Sequence, residues 1–256
     1  MGDTKIIAFG IQKGGVGKTT TTGITAHLLS KQFRVLAVDF DSQGNLTQFL
    51  TQRNIYDFTK RTVLEACKEQ DANPYIVQIS DNLHILTAED FLAGFSQWLY
   101  REYKGEPTAV LRNTLASVQS NYDFILIDLP PNLGDHTING LSAANYAVAM
   151  LQSEPFCYDA LDRYIELLGH VQAYNPELRL AGILTTMLDS RSSLDNAILE
   201  RAREEYKDFV FETTIRRRNR IKEFTITGIQ DHLKADRDAL ENYTGFIKEL
   251  VSRVNQ

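Results

Sequence analysis

Uninterrupted apolar segments of strand length recur along the chain and alternate with longer stretches of helical periodicity. Such runs are typical of strands that are buried on both faces of a sheet. The predicted strands are Lys5–Ile11, Arg34–Asp39, Leu83–Thr87, Phe124–Asp128, Tyr146–Leu151 and Leu180–Thr186. Helices are predicted between them, near residues 18–31, 61–69, 108–120, 157–174 and 193–207. This alternation predicts an α/β fold in which a mainly parallel, twisted sheet is flanked by helices on both faces.

The C-terminal stretch from Asp236 has apolar residues at i, i+3 and i+4 spacing, which predicts an amphipathic helix. Glutamates offset the lysine and arginine on its polar face, whereas a membrane-surface helix normally has a basic polar face. We therefore expect this helix to pack on the sheet, with no stable membrane association. No Ser/Gly/Pro-rich linker or repeat divides the chain, so one domain is predicted over residues 1–256.

Composition narrows the class of protein. The 256 residues carry a formal charge of −6 and a pI of about 5.4, which excludes a uniformly basic nucleic-acid coat. Cys67 and Cys157 lie far apart, without the spacing of a zinc site or a disulfide framework. No apolar run reaches the roughly 18 residues of a membrane span, and the N-terminus does not resemble a signal peptide. A cytoplasmic protein is the expectation.

The strongest motif follows the first strand and opens the first helix: Lys13-Gly14-Gly15-Val16-Gly17-Lys18-Thr19-Thr20. Glycines let consecutive backbone N–H groups face an anion, and a helix N-terminus adds partial positive charge. Lys18 is placed to reach the β- and γ-phosphates of a nucleotide, and Thr19 to ligate Mg²⁺. The first glycine of the strict P-loop pattern is replaced by Gln12.

Carboxylates follow two predicted strands. Asp39 and Asp41 end the second, and Asp128 ends the strand at 124–128. The C-terminal edge of a parallel sheet is where ligands bind, and acidic groups there can hold Mg²⁺ or orient an attacking water. Each aspartate alone could equally be a helix cap or turn residue. After a P-loop, the metal and water site becomes the preferred interpretation.

These segments resemble the deviant Walker A, Walker A′ and Walker B motifs of the ParA/Soj/MinD family of P-loop ATPases, and most closely those of small ParA-type partition ATPases. The resemblance implies ATP and Mg²⁺ as cofactors, with Lys13, Lys18 and Asp41 as catalytic residues. Lys13 would cross a dimer interface to the partner's nucleotide, and Asp41 would position the hydrolytic water. Thr19, Asp128 and Asp41 would hold Mg²⁺, with Asp39 in support. Ser42 stands where the family usually has proline.

The similarity extends over nearly the whole chain. It includes a switch-like loop over residues 132–139, in which His136 is expected to be a surface residue, since phosphoryl transfer needs no histidine. The family's larger members carry an N-terminal helix-turn-helix arm that this sequence lacks. Sequence-specific DNA reading is therefore not expected.

Residues 216–222 contain five positive charges and no negative one. Such a segment on an acidic protein favours an anionic partner, although it could also be a solvated surface or a patch balanced by intramolecular carboxylates. The family resemblance implies non-specific DNA binding through Arg191 and Arg220, with Arg218 and Lys222 as weaker additions. Arg216 occupies a position where the family commonly has proline.

The preferred function is a ParA-type ATPase for plasmid or chromosome segregation. ATP would drive a sandwich homodimer that binds DNA and becomes nucleoid-associated, and a ParB-type partner would stimulate its release by hydrolysis. The alternatives are a MinD-like ATPase that positions a membrane or protein complex, and a nucleotide-gated scaffold in which hydrolysis is incidental. The cysteines do not match the iron–sulfur pattern of the related nitrogenase iron protein.

Overall fold

The computed structural model describes residues 3–152, 157–189 and 191–255. Within these residues eight strands form one sheet, and ten α-helices flank it. The strands are β1 Lys5–Gly10, β2 Val35–Asp39, β3 Ile76–Gln78, β4 Leu83–Leu86, β5 Phe124–Asp128, β6 Tyr146–Gln152, β7 Arg179–Leu188 and β8 Ile215–Arg216. The helices are α1 Lys18–Leu29, α2 Asn45–Thr51, α3 Val63–Glu69, α4 Phe95–Arg101, α5 Val110–Ala116, α6 Asp135–Ala143, α7 Cys157–Val171, α8 Ser193–Tyr206, α9 Asn219–Thr227 and α10 Lys234–Val254.

The sheet order is β3-β4-β2-β5-β1-β6-β7-β8, and the described pairings are parallel except for β3 with β4. Every residue of β2 and β5 is buried, so both faces of the sheet are covered at its centre. The α/β prediction is therefore confirmed. β3 and β8 were not predicted, because strands of three and two residues carry no readable periodicity.

The amphipathic C-terminal segment forms α10, which packs against α1 and the sheet. The ring of Phe246 is fully buried, 6.5 Å from the ring of Phe9 on β1 and 4.9 Å from that of Phe211. The apolar face of α10 is thereby occupied within the molecule. None of the helices in the described ranges is long and apolar enough to cross a membrane. Cys67 and Cys157 are both buried.

Candidate nucleotide site

Three neighbouring parallel strands bring the motif residues to one edge of the sheet. β5 lies between β1 and β2, and its last residue, Asp128, is in register with Phe9 on one side and Asp39 on the other. The glycine-rich loop leaves β1 at this edge and leads into α1. Segments that are far apart in the chain therefore meet because parallel strands end at a common edge.

The loop is built from left-handed glycines and one buried anchor. Gly15 and Gly17 have φ values of +77° and +81°, a region in which a side chain is strained. Val16 is buried, and its carbonyl accepts a hydrogen bond of 2.8 Å from the Thr186 hydroxyl on β7. A Cβ added at Gly14 would meet no atom within 4 Å. The loop is thus held from beneath and open on the ligand side.

Lys18 and Thr19 begin α1 beside the acidic strand ends. Lys18 is only 7% exposed, and its Nζ donates to the Lys13 carbonyl at 3.3 Å. Burial lowers the pKa of Lys18, and the charges of Asp128 and Asp41 oppose that shift. The Thr19 hydroxyl donates to Asp128 Oδ2 at 2.6 Å. Two of the groups expected to bind Mg²⁺, the Thr19 hydroxyl and the Asp128 carboxylate, are therefore already adjacent.

Asp39, the last residue of β2, hydrogen-bonds to the loop that carries Asp41. It is fully buried, and its Oδ2 accepts hydrogen bonds of 2.7 Å from both the backbone N–H and the hydroxyl of Thr47. Its Oδ1 accepts the backbone N–H of Asp41 at 3.3 Å. Burial raises the pKa of Asp39, and burial followed by the charge of Asp39 raises the pKa of Asp128. A cation at this edge would relieve the repulsion between these carboxyls.

A cavity of about 430 Å³ lies over the loop. The predicted residues that line it are Gly14, Gly15, Val16, Gly17, Lys18, Thr19, Thr20 and Asp41. Sequence reasoning missed a second set of wall residues, which come from α2, α9, the end of β7 and two loops: Gln43, Asn45, Gln48, Phe49, Pro131, Met187 and Thr225. Of these, only Met187 has a positive φ, of 58°, and this could not be predicted because backbone strain of this kind has no local sequence motif.

The donor set fits Mg²⁺ that is bound together with a polyphosphate. No group of three or more His, Cys, Asp or Glu side chains that could cage a metal occurs in the part of the chain that is described. Mg²⁺ usually takes one or two protein oxygens and completes its shell with water and phosphate oxygens. Thr19, Asp128 and Asp41 can supply such oxygens, whereas the carboxyl of Asp39 is already engaged by Thr47.

The predicted DNA-contact residues are not a uniform patch. Arg191 has an 88% exposed side chain that is paired with Asp189 at 3.0 Å. Lys222 is exposed and Arg218 is half-buried. Arg220, by contrast, is bound to Asp236 and Glu223. The sequence left open whether carboxylates of the same chain balance the basic segment. At Arg220 they do.

His136 is half-buried, although an exposed surface position was expected. Its Nε2 lies 3.0 Å from the Leu92 carbonyl, and its ring packs 5.0 Å from Phe95 and 5.5 Å from Phe40. Burial lowers the pKa of His136. Its role is to pack the start of α6 against the segment before α4, and the sequence could not reveal this because the aromatic partners are distant in the chain.

Known proteins match this chain over most of its length. A family model described as an AAA domain matches residues 4–180. The chain is 35% identical over 257 residues to the chromosome-partitioning ATPase Soj of Thermus thermophilus, with 98% of this chain and 96% of the relative covered. Cobyrinic acid a,c-diamide synthase from Mycobacterium smegmatis, solved with bound ATP analogue and magnesium, has a TM-score of 0.84 at 30% identity and covers 98% of this chain and 95% of its own. A putative plasmid partition protein from Borrelia burgdorferi, bound to AMPPNP, has a TM-score of 0.82 at 25% identity, and the match covers 98% of this chain and 100% of that protein's chain.

Proposed function

The chain belongs to the ParA/Soj family of ATPases, and on that premise we propose that it uses Mg²⁺ and ATP to segregate a plasmid or chromosome. The observation that carries the proposal is one cavity lined by the glycine loop, Lys18, Thr19 and Asp41, with Asp128 hydrogen-bonded to the Thr19 hydroxyl behind it. Magnesium with an ATP analogue in the Mycobacterium smegmatis structure supports the choice of cofactors.

Phosphoryl transfer depends mainly on positioning and on electrostatic stabilisation of the transferring group. In this proposal the backbone of residues 14–17 and the Lys18 ammonium hold the β- and γ-phosphates. Asp41 orients the attacking water, and Asp128 acts with Thr19 in the metal shell. Mg²⁺ held by these residues would supply positive charge against the charge that develops on the phosphate oxygens. Asp39 keeps the Asp41 loop in place through the contacts described above.

We further infer that ATP binding pairs two copies of the chain, with Lys13 reaching the partner's nucleotide. The dimer binds DNA without sequence preference and is nucleoid-associated in an otherwise cytoplasmic protein. A ParB-type activator stimulates hydrolysis and so releases it. The strands come from residues 5–216 and α10 packs back on α1, which supports a single domain over residues 1–256.

The chemistry is tested by two variants with matched controls. Lys18→Ala should abolish ATP binding or turnover, whereas Lys248→Ala, which removes an exposed lysine of α10, should not. Asp41→Ala should retain ATP binding and dimerisation but lose turnover, and Asp238→Ala serves as its exposed control. Phosphate release and nucleotide titration measure these effects. Normal turnover in Lys18→Ala would overturn the assignment.

The DNA step is tested by titrating DNA with the ADP, ATP and slow-analogue states across a range of salt concentrations. Tight binding is expected with ATP and with the slow analogue but not with ADP, and it should be salt-sensitive because phosphate contacts release counterions. Equal affinity in all three states would contradict a nucleotide switch. The MinD-like alternative has less support, since the apolar residues of α10 that a membrane would receive are buried in the fold, among them Tyr243, Phe246 and Leu250.

A further inference from the structure

Arg220, at the start of α9, has all of its guanidinium nitrogens engaged by acceptors within the chain. Nε donates to Asp236 Oδ1 at 2.7 Å, Nη1 to Glu223 Oε2 at 2.5 Å, and Nη2 to Gln230 Oε1 at 3.5 Å. The guanidinium carbon also lies 5.4 Å from the centre of the Phe224 ring. Each guanidinium nitrogen therefore already has an acceptor within the chain, and the side chain is only 26% exposed, so an external phosphate meets no nitrogen that lacks an internal partner.

The two carboxylates differ in how firmly they are held. Asp236 is fully buried, and its Oδ2 accepts the backbone N–H of Leu233 at 3.0 Å where α10 begins. Separating Asp236 from Arg220 would leave a buried carboxylate without its cation, which is strongly unfavourable. The Glu223 side chain is 54% exposed, so water can take over its hydrogen bonds. Glu223 is therefore the exchangeable partner and Asp236 the fixed one.

The edge that Glu223 covers is suited to a phosphate group. Nη1 and Nη2 of a guanidinium form a planar fork that matches two oxygens of a phosphate, and arginine is favoured at such sites for this reason. With Nε fixed by Asp236, the fork keeps a defined orientation after Glu223 leaves. The same segment of the chain carries the exposed cations Arg216, Arg217 and Lys222. The place of one phosphate oxygen, at Nη1, is thus taken by the Glu223 carboxylate, whereas Nη2 makes only a long contact of 3.5 Å with the Gln230 amide.

We propose that Glu223 masks a DNA-phosphate site on Arg220, and that a backbone phosphate displaces Glu223 while Asp236 keeps the guanidinium oriented. This inference rests on the DNA binding proposed above. In this exchange a phosphate replaces the Glu223 carboxylate as the ion-pair partner of Arg220, and no covalent bond is made or broken. Glu223 is then an autoinhibitory residue that weakens DNA binding, and Asp236 is a positioning residue for the DNA contact.

The test is DNA affinity of the ATP-bound protein as a function of salt. Glu223→Ala should bind DNA about five- to tenfold more tightly near 0.1 M salt, because the phosphate no longer has to displace a carboxylate, and its salt slope should match that of the wild type, since both form the same phosphate contact. Glu241→Ala removes an equally exposed glutamate from α10 and is the control for net charge. An enhancement of the same size in Glu241→Ala would overturn the proposal.

A double-mutant cycle with Arg220→Gln isolates the contact. Masking of Arg220 predicts that Glu223→Ala has no effect on DNA affinity in the Arg220→Gln background. The same enhancement in both backgrounds would show that Glu223 weakens DNA binding through the overall negative charge of the protein, and would refute masking of Arg220. If the wild type binds DNA but Glu223→Ala does not bind it more tightly, this inference fails and the proposed function stands. If neither the wild type nor the variants bind DNA with ATP, the DNA function itself fails. Thermal unfolding of each variant verifies that the fold is kept.

Discussion

Thr47 is a single side chain on which the geometry of the carboxylate edge depends. Its hydroxyl donates to Asp39 Oδ2 at 2.7 Å and accepts the backbone N–H of Ala88 at 2.8 Å. All three residues are fully buried. Thr47→Val keeps the side-chain volume but removes both hydrogen bonds, while the backbone N–H of residue 47 still reaches Asp39.

The expected cost follows from these two bonds. Losing a net hydrogen bond costs about 1 kcal/mol, and leaving the buried Ala88 N–H without an acceptor costs about 1–3 kcal/mol. No cavity term is added, because valine fills the same space. We therefore expect Thr47→Val to lower the free energy of unfolding by about 2–4 kcal/mol, a large part of the roughly 5–15 kcal/mol that holds a domain folded.

Urea denaturation followed by circular dichroism measures this loss. The matched control is Thr244→Val on α10, an exposed threonine whose hydroxyl donates to the Leu240 carbonyl of its own helix at 3.2 Å. Thr47→Val should also reduce turnover more than ATP affinity, because Asp39 anchors the loop that carries Asp41. Equal stability of the two variants would refute the argument that the buried bonds of Thr47 stabilise this edge.

Gly10→Ala should destabilise the protein by about 1–3 kcal/mol, because its Cβ would lie 2.2 Å from the buried hydroxyl of Tyr164. Tyr164→Leu in the same background should recover part of the loss, and Gly169→Ala, with no atom within 4 Å, should be neutral or stabilising in the same melts. Hydrogen bonds from Arg34 hold the pKa of Asp123 below its usual value, so its stabilisation is present above about pH 4 and is lost as the pH falls through the folded-state value. The difference in unfolding free energy between wild type and Asp123→Asn should accordingly shrink between about pH 5 and pH 2.5; a constant difference would exclude this linkage.

Local patterns were sufficient for the strands of the sheet interior and for the loop over Lys13–Thr20. An uninterrupted apolar run indicates a strand that is buried on both faces. The loop needs residues that tolerate positive φ, and Gly15 and Gly17 supply them. Both features can therefore be predicted from a few adjacent residues. The meeting of Asp39 with Asp128 was also predictable. It requires only that both strands be parallel and end at the same edge.

The contacts of charged and aromatic side chains were not predictable in this way. The basic segment at 216–222 is followed by Glu223, and nothing local distinguishes an exposed arginine from one that a buried carboxylate on another helix holds in place. His136 likewise packs on Phe40 and Phe95, although its loop reads as polar surface.

The sequence by itself therefore determined the α/β class, the phosphate loop and the strand-end carboxylates, because each depends on short-range periodicity or on backbone freedom at particular residues. The tertiary structure alone decided which helices wall the cavity, that Thr47 holds Asp39, and that Asp236 and Glu223 hold Arg220. These depend on which distant elements pack together, and the free energy of an ion pair or a buried hydrogen bond is set by that packing rather than by neighbours in the chain.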